Sequence, residues 1–79
     1  MKEISLDKIF LSSDAALAWG EMVERVLFGF RVAGTTFKKV EQVARVEDDG
    51  SLTLVHRLRE PNKGEVSMSV PPDHWTWRQ

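Results

Sequence analysis

The sequence lacks cysteine altogether and carries almost no net charge. Without cysteine, the 79-residue chain has no disulfide scaffold, no thiolate metal site and no cysteine nucleophile. Its 11 basic side chains nearly balance 12 acidic ones, which argues against a protein that coats nucleic acid. Long apolar runs are missing too, because no stretch approaches the roughly 18 residues of a membrane span. We therefore expect no membrane partner.

The start of the chain and its length indicate where the protein is located and how many domains it forms. A secretory signal needs an apolar run of about 7–15 residues, and Glu3, Asp7 and Lys8 interrupt any such run. The expectation is a cytoplasmic protein. A chain of this length forms one domain, residues 1–79. Such a domain buries only about 60% of the surface that its unfolded chain exposes, which leaves little core for a deep catalytic pocket.

An amphipathic helix is predicted at residues 14–28. Its apolar side chains recur with the spacing of one helix face, at Ala15, Ala18, Trp19, Met22, Val23 and Val26. Residues 12–14 offer N-cap oxygens, and Gly29 suits the left-handed residue that ends a helix. The apolar segment 4–11 predicts a further short helix, with a short strand at 3–6 as the alternative.

The second half of the chain predicts an antiparallel meander. The Asp-Asp-Gly segment 48–50 is a turn signal between two apolar-patterned runs. A three-residue loop there pairs Val46 with Leu52 and places Gly50 at the left-handed position that such loops require. The same register aligns Arg45 with Thr53, Ala44 with Leu54, Val43 with Val55, Glu41 with Arg57, and Val40 with Leu58. Charged and apolar side chains then separate onto opposite faces.

A second hairpin is predicted around residues 60–64. It would place Arg59 opposite Glu65 and His56 opposite Met68, and the third strand would join the same apolar face.

Two further segments of the predicted sheet each fit two structures. Residues 36–48 also fit a helix, so a helix is the alternative to the first strand. Residues 75–77 alternate tryptophan with threonine and predict a short terminal strand or a pinned tail.

These elements predict an α+β fold. An N-terminal helix packs on a three- to four-stranded antiparallel β-meander. The expected core consists of Trp19, Met22, Val23, Val26, Val40, Ala44, Val46, Leu52, Leu54, Leu58, Val66, Met68 and Val70.

Side chains that carry chemistry are few. His56 falls on the core face, where a hydrogen-bonded imidazole explains it better than a general base. His74 follows Asp73, but no nucleophile accompanies it. The acidic segment 47–49 is too short to wrap a cation. We therefore expect no catalytic residue, no metal and no cofactor.

Surplus apolar side chains point instead to a protein partner. Leu17 and Phe28 lie about 200–220° around the helix from Ala15. Either the 4–11 segment packs over them or they form an exposed strip. Val43 and Val55 pair on the outer sheet face among charged neighbours, in the manner of a small interface core with a charged rim.

Basic and aromatic residues offer a second surface. Arg45, Arg57 and Arg59 share the outer sheet face, and Trp75 and Trp77 lie near an edge, as on sheets that bind single-stranded nucleic acid. Their charge is reduced because Glu41 and Glu65 lie opposite arginines.

The leading hypothesis is a small non-enzymatic protein-binding module, an inhibitor, adaptor or regulatory protein of the phage or mobile-element type. The residues expected to bind the partner are Leu17, Phe28, Val43, Arg45, Val55, Arg57, Arg59, Trp75 and Trp77. A weak nucleic-acid-binding protein that uses the Arg-rich outer face is the first alternative. A small enzyme that uses His56 or His74 is the second. Homodimerisation through an open sheet edge or the outer face is compatible with each.

Overall fold

The computed structural model of the chain describes residues 2–34, 39–60 and 63–78. Within these ranges the chain forms six strands, one α-helix and two 3₁₀ turns. The strands are β1 (Glu3–Ser5), β2 (Ile9–Leu11), β3 (Lys39–Val46), β4 (Leu52–Arg59), β5 (Gly64–Val70) and β6 (Trp75–Trp77). The helix α1 (Ser13–Val32) lies between β2 and β3, and the 3₁₀ turns are Leu6–Lys8 and Pro72–His74.

The strands form two antiparallel sheets. The larger has the order β1-β3-β4-β5, and the smaller pairs β2 with β6. Helix α1 packs on the apolar face of the larger sheet, where Trp19 and Ala15 join the same buried cluster as Ala44 and Leu54. The predicted α+β class is therefore confirmed, with β1 as the fourth strand.

The first hairpin has the predicted register. Val46 pairs with Leu52 and Val43 with Val55, and Gly50 adopts the left-handed conformation at φ 88°. The strand interpretation of residues 36–48 is correct for β3, while residues 36–38 lie outside the described residues. The amide of Gly50 donates to the carbonyl of Glu47 at 3.0 Å, which closes the loop.

The predicted register of the second hairpin is wrong by two residues. Arg57, not Arg59, pairs with Glu65, and His56 pairs with Val66 instead of Met68. Leu58 then lies opposite Gly64, where no side chain competes for space. A Cβ built on Gly64 would meet the Leu58 side chain at 3.6 Å. Because the shift is two residues, every side chain keeps its predicted face.

Helix α1 runs beyond its predicted end at residue 28. It starts as expected, with the Ser12 side chain accepting a hydrogen bond from the amide of Ala15. Gly29 stays helical, and the left-handed glycine is Gly34 at φ 83°. Phe30 is half-buried and extends the sheet-facing side of the helix by one turn. Burial of this side chain offsets the roughly 1 kcal/mol that a mid-helix glycine costs.

The short helix predicted at 4–11 is wrong, and the alternative strand is confirmed at β1. Ile4 pairs with Ala44 and packs against the core, and a 3₁₀ turn then redirects the chain so that Ile9 is buried in β2. Ile9 is thereby buried, and Ile4 is partly buried.

All but one of the predicted core residues are buried or partly buried, and Ile9, Ala15 and Val55 are buried in addition to them. Leu52, Leu54 and Leu58 are fully or almost fully buried, and Trp19 is 7% exposed. Val40 is 51% exposed instead. Its strand β3 pairs with β1 only from Val43 onwards, so within the described residues no strand pairs with the beginning of β3 on that side.

Candidate functional site

Helix α1 carries exposed apolar side chains on the side that faces away from the sheet. Leu17 is 64% exposed, Phe28 63% and Val32 71%. At 3.6 residues per turn these three side chains and two charged ones, Glu21 and Arg25, fall within about 80° of the helix circumference. We call this set of five residues the outer strip. Exposed apolar side chains that cluster on one surface are typical of interaction sites.

The outer strip is exposed because the opposite side of α1 is committed to the core. Ala15 and Trp19 are buried there, and Met22 packs against the same cluster. The indole Nε1 of Trp19 donates to Oε1 of Gln42 on β3 at 3.4 Å, which fixes the rotation of the helix. Rotating α1 to bury the outer strip would expose Trp19. The option that the 4–11 segment packs over Leu17 and Phe28 is wrong, because both side chains are more than 60% exposed.

Charged side chains lie between the apolar ends of the outer strip. Glu21, Glu24 and Arg25 line a shallow open hollow on α1 together with Leu27, Phe28 and Arg31. Within the described residues neither Glu21 nor Arg25 forms an ion pair. Their charges therefore remain available to a partner.

The outer sheet face is less open than the sequence predicts. Val55 is 0% exposed and Val43 is half-buried, so this pair does not form an exposed apolar patch. A long arginine side chain crosses the same face. Arg57 reaches from β4 across β3 to Glu3 on β1, and the register places Val43 under that path.

Arg57 holds three strands together through two carboxylates. Its Nη2 lies 2.7 Å from Oε2 of Glu3, and its Nη1 lies 2.9 Å from Oε1 of Glu41. The hydrogen bond from Arg57 lowers the pKa of Glu3, and the charges of Arg57, Arg45 and Arg59 add to this effect. Arg57 is thus a structural clamp whose hydrogen-bonding groups are already used. Sequence reasoning missed Glu3, because no spacing rule relates β1 to β4.

The predicted basic and aromatic surface is not assembled. Trp75 packs against the core, and its indole Nε1 donates to the carbonyl of Gly50 at 3.0 Å. Trp77 is 50% exposed and meets Trp75 edge-on, at 5.4 Å between ring centroids. Among the described residues, no hydrogen bond or ring contact joins either tryptophan to Arg45, Arg57 or Arg59. Arg59 itself is exposed.

The two histidines occupy structural positions. His56 is 3% exposed, and burial lowers the pKa of its imidazole. Within the described residues neither ring nitrogen of His56 has a hydrogen-bond partner, so the predicted bond is absent. Nδ1 of His74 lies 2.8 Å from Oγ of Ser12. This contact fastens the start of α1 to the turn before β6, and no sequence pattern indicated it.

Ser12 already has a role that limits its chemistry. Its Oγ accepts the amide hydrogen of Ala15 at 3.1 Å while it contacts His74, so the hydroxyl serves as the N-cap of α1.

The described part of the chain has neither a cluster of metal ligands nor a membrane-spanning helix. In residues 2–34, 39–60 and 63–78, no three histidine, aspartate or glutamate side chains converge on a common point that suits a metal ion. In the same ranges no helix has both the length and the apolar character needed to cross a bilayer.

Fold and site together define a small α+β domain that presents one amphipathic helix with an exposed outer strip. Comparison of the chain with protein-family models, with curated proteins and with solved structures found no match. The case for a function therefore rests on the geometry of the outer strip.

Proposed function

We propose that the protein is a small non-enzymatic protein-binding module, and that it binds its partner through the outer strip of α1. The supporting observation is the exposure of Leu17, Phe28 and Val32, each above 60%, on one side of one helix. In a domain with so small a core, three large apolar side chains outside it are a cost to solubility that a partner would remove.

Two of these side chains have the spacing by which one protein recognises a helix of another. An amphipathic helix that binds in a groove uses anchors on successive turns of one face, as Phe28 and Val32 are placed, and Leu17 lies three turns before Phe28. From Leu17 to Val32 the outer strip covers about four turns, or roughly 22 Å. Full burial of each anchor contributes about 1.5–3 kcal/mol before the costs of association are subtracted.

The proposal assigns no catalytic role to either histidine. His56 lies in the core, and His74 is joined to Ser12. A cytoplasmic location is part of the proposal.

Replacing Phe28 with glutamate should weaken partner capture at least tenfold, because a charge would be placed in the apolar part of the contact. The measurement is affinity capture from cell extract with immobilised parent and Phe28→Glu proteins, compared by quantitative mass spectrometry. Ala16→Glu is the matched control, because Ala16 is exposed on the same helix but lies about 100° or more around it from most of the outer strip.

Circular dichroism must show equal helix content and equal thermal midpoints for the three proteins. If Phe28→Glu captures the same proteins in the same amounts as the parent, the outer strip is not the binding surface. If Ala16→Glu loses capture as well, added charge on α1 is sufficient to explain the loss, and the proposal fails.

A further inference from the structure

We infer that the protein self-associates through the open edge of β5, with the β5 strands of two copies paired antiparallel about a two-fold axis at Ser67. The two four-stranded sheets then join into one continuous sheet. This inference goes beyond the proposed function, because it concerns a different surface and a different partner, a second copy of this chain.

Backbone groups at the edge of β5 are left without a partner. The amide of Glu47 donates to the carbonyl of Ser51 at 2.8 Å, so the odd-numbered residues of β4 face β3 and the even-numbered ones face β5. Through the register between β4 and β5, the even-numbered residues of β5 then bond to β4. The N–H and C=O groups of Glu65, Ser67 and Ser69 therefore point to the edge, where no group of the described residues bonds to them.

The two edge strands of the larger sheet differ in how well they are protected. The edge strand β1 is three residues long, whereas β5 has seven. Proteins protect long edges with proline, lysine, a bulge or a charge that points inward. Strand β5 contains none of these, and its register with β4 is unbroken. Such an edge is a template for another strand.

The sequence of β5 is complementary to its own reverse. With the axis at Ser67, this residue meets Ser67 of the second copy, and Glu65 meets Ser69. On the side of the sheet that α1 covers, Val66 meets Met68. The three edge-facing residues form hydrogen-bonded pairs, with about six backbone hydrogen bonds in all. Within β5 no two like charges lie opposite one another, so nothing opposes this register.

Helix α1 leaves the edge of β5 accessible. The residues of α1 that lie beside the end of β5, at residues 68–70, are Asp14, Ala15 and Ala18, and two of these three side chains are small. Because the strands pair antiparallel, this end of one copy lies opposite Gly64 of the other. The two places where a helix approaches the edge are therefore at opposite ends of the interface.

The size of the contact sets its expected strength. One strand of seven residues buries less than the roughly 800 Å² per partner of a standard interface. We therefore expect a dimer that dissociates in the micromolar range rather than an obligate one.

Sedimentation velocity on charge variants of Ser67 tests the inference. The parent should shift from monomer to dimer between about 5 and 500 µM, a range set by the small interface. Ser67→Lys and Ser67→Glu should each weaken dimerisation about fivefold or more, because each sets two like charges opposite one another. An equimolar mixture of the two variants should form a heterodimer, because each charge at the two-fold axis then meets its opposite.

Ser5→Lys is the matched control. Ser5 is also an exposed serine of an edge strand. The pairs Ser5–Val43, Val43–Val55 and Val55–Ser67 place it in the same row of the outer sheet face as Ser67, at the opposite edge. This variant should dimerise like the parent, and circular dichroism must show the same fold for all variants.

Amide hydrogen exchange of the parent, followed by NMR, locates the interface without any substitution. The amides of Glu65, Ser67 and Ser69 should exchange more slowly at the upper end of the concentration range than at the lower end. The amides of Val66 and Met68 already bond to β4, so their exchange should change less.

The outcomes separate this inference from the proposed function. A parent that sediments as a monomer throughout overturns the inference, while Phe28-dependent capture of another protein would leave the proposed function intact. A dimer that Ser67→Lys leaves unchanged, or that Ser5→Lys weakens equally, also overturns it, because the copies then meet elsewhere. A mixture of the two Ser67 variants that stays monomeric overturns the pairing at this residue.

Discussion

Replacing Leu54 with alanine is expected to lower the free energy of unfolding by about 2–5 kcal/mol, whereas the same replacement at Leu17 should change it by no more than about 0.5 kcal/mol. The two variants remove the same atoms. They differ in environment, because Leu54 is 0% exposed and Leu17 is 64% exposed.

The difference follows from the position of Leu54 in the sheet. It lies on β4 between Ala44 of β3 and Met68 of β5, on the face that α1 covers. Truncation leaves a cavity that rigid neighbouring strands fill only in part, and the lost contacts add to the lost transfer free energy. Since a domain of this size has a stability of roughly 3–5 kcal/mol, much of the Leu54→Ala protein should be unfolded.

Urea unfolding followed by circular dichroism measures both variants. Leu17→Ala should keep the parental midpoint, since alanine is also the best helix former. Equal destabilisation by the two substitutions would contradict the assignment of Leu54 to the core and Leu17 to the outer strip.

Acid is expected to destabilise the protein through His56 before the carboxylates titrate. Burial lowers the pKa of this imidazole in the folded state, while the unfolded chain has the ordinary value of about 6.5. Below about pH 6.5 the unfolded state therefore binds a proton that the folded state does not. The free energy of unfolding falls by up to about 1.4 kcal/mol per pH unit, until the pH reaches the lowered pKa of the folded state.

The position of His56 explains why the folded state resists protonation. Its register neighbours are Gln42 and Val66, which carry no charge, and neither ring nitrogen has a hydrogen-bond partner within the described residues. A buried imidazolium there would lack compensation.

Urea unfolding at pH 7.5, 6.5 and 5.5 checks this expectation. His56→Leu should remove most of the slope, and His74→Gln should retain it as the control for the second histidine. The pKa values of Glu3 and Asp49 are lowered, so these carboxylates lose their contribution to the free energy of unfolding below this pH range and do not produce the slope. A slope that persists in His56→Leu would show that another group is responsible.

The first hairpin was predictable because several constraints agreed. Gly50 fixed the turn, and alternation of apolar residues fixed which side chains share a face. At the second turn, alternation determined only which side chains share a face of the sheet. The predicted faces were therefore right, while the predicted pairing was wrong by two residues.

The candidate site was predictable only where helical periodicity determined it. The exposure of Leu17 and Phe28 followed from their angle on α1. Val32 was not predicted, because Gly29 has the pattern of a helix end although α1 continues past it. The prediction that Val55 is exposed was wrong, and the salt bridge from Arg57 to Glu3 that crosses the same face was not predictable. A contact between β1 and β4 depends on tertiary structure that no local pattern encodes.

Photocrosslinking in living cells tests whether the outer strip is the surface through which this protein binds another protein. A benzophenone side chain at Phe28 keeps an aromatic group in the outer strip, and one at Ser67 probes an exposed position on the outer sheet face. We expect a defined crosslinked species with another protein from position 28 and none with another protein from position 67. Crosslinks to another protein from position 67 and none from position 28 would contradict this expectation.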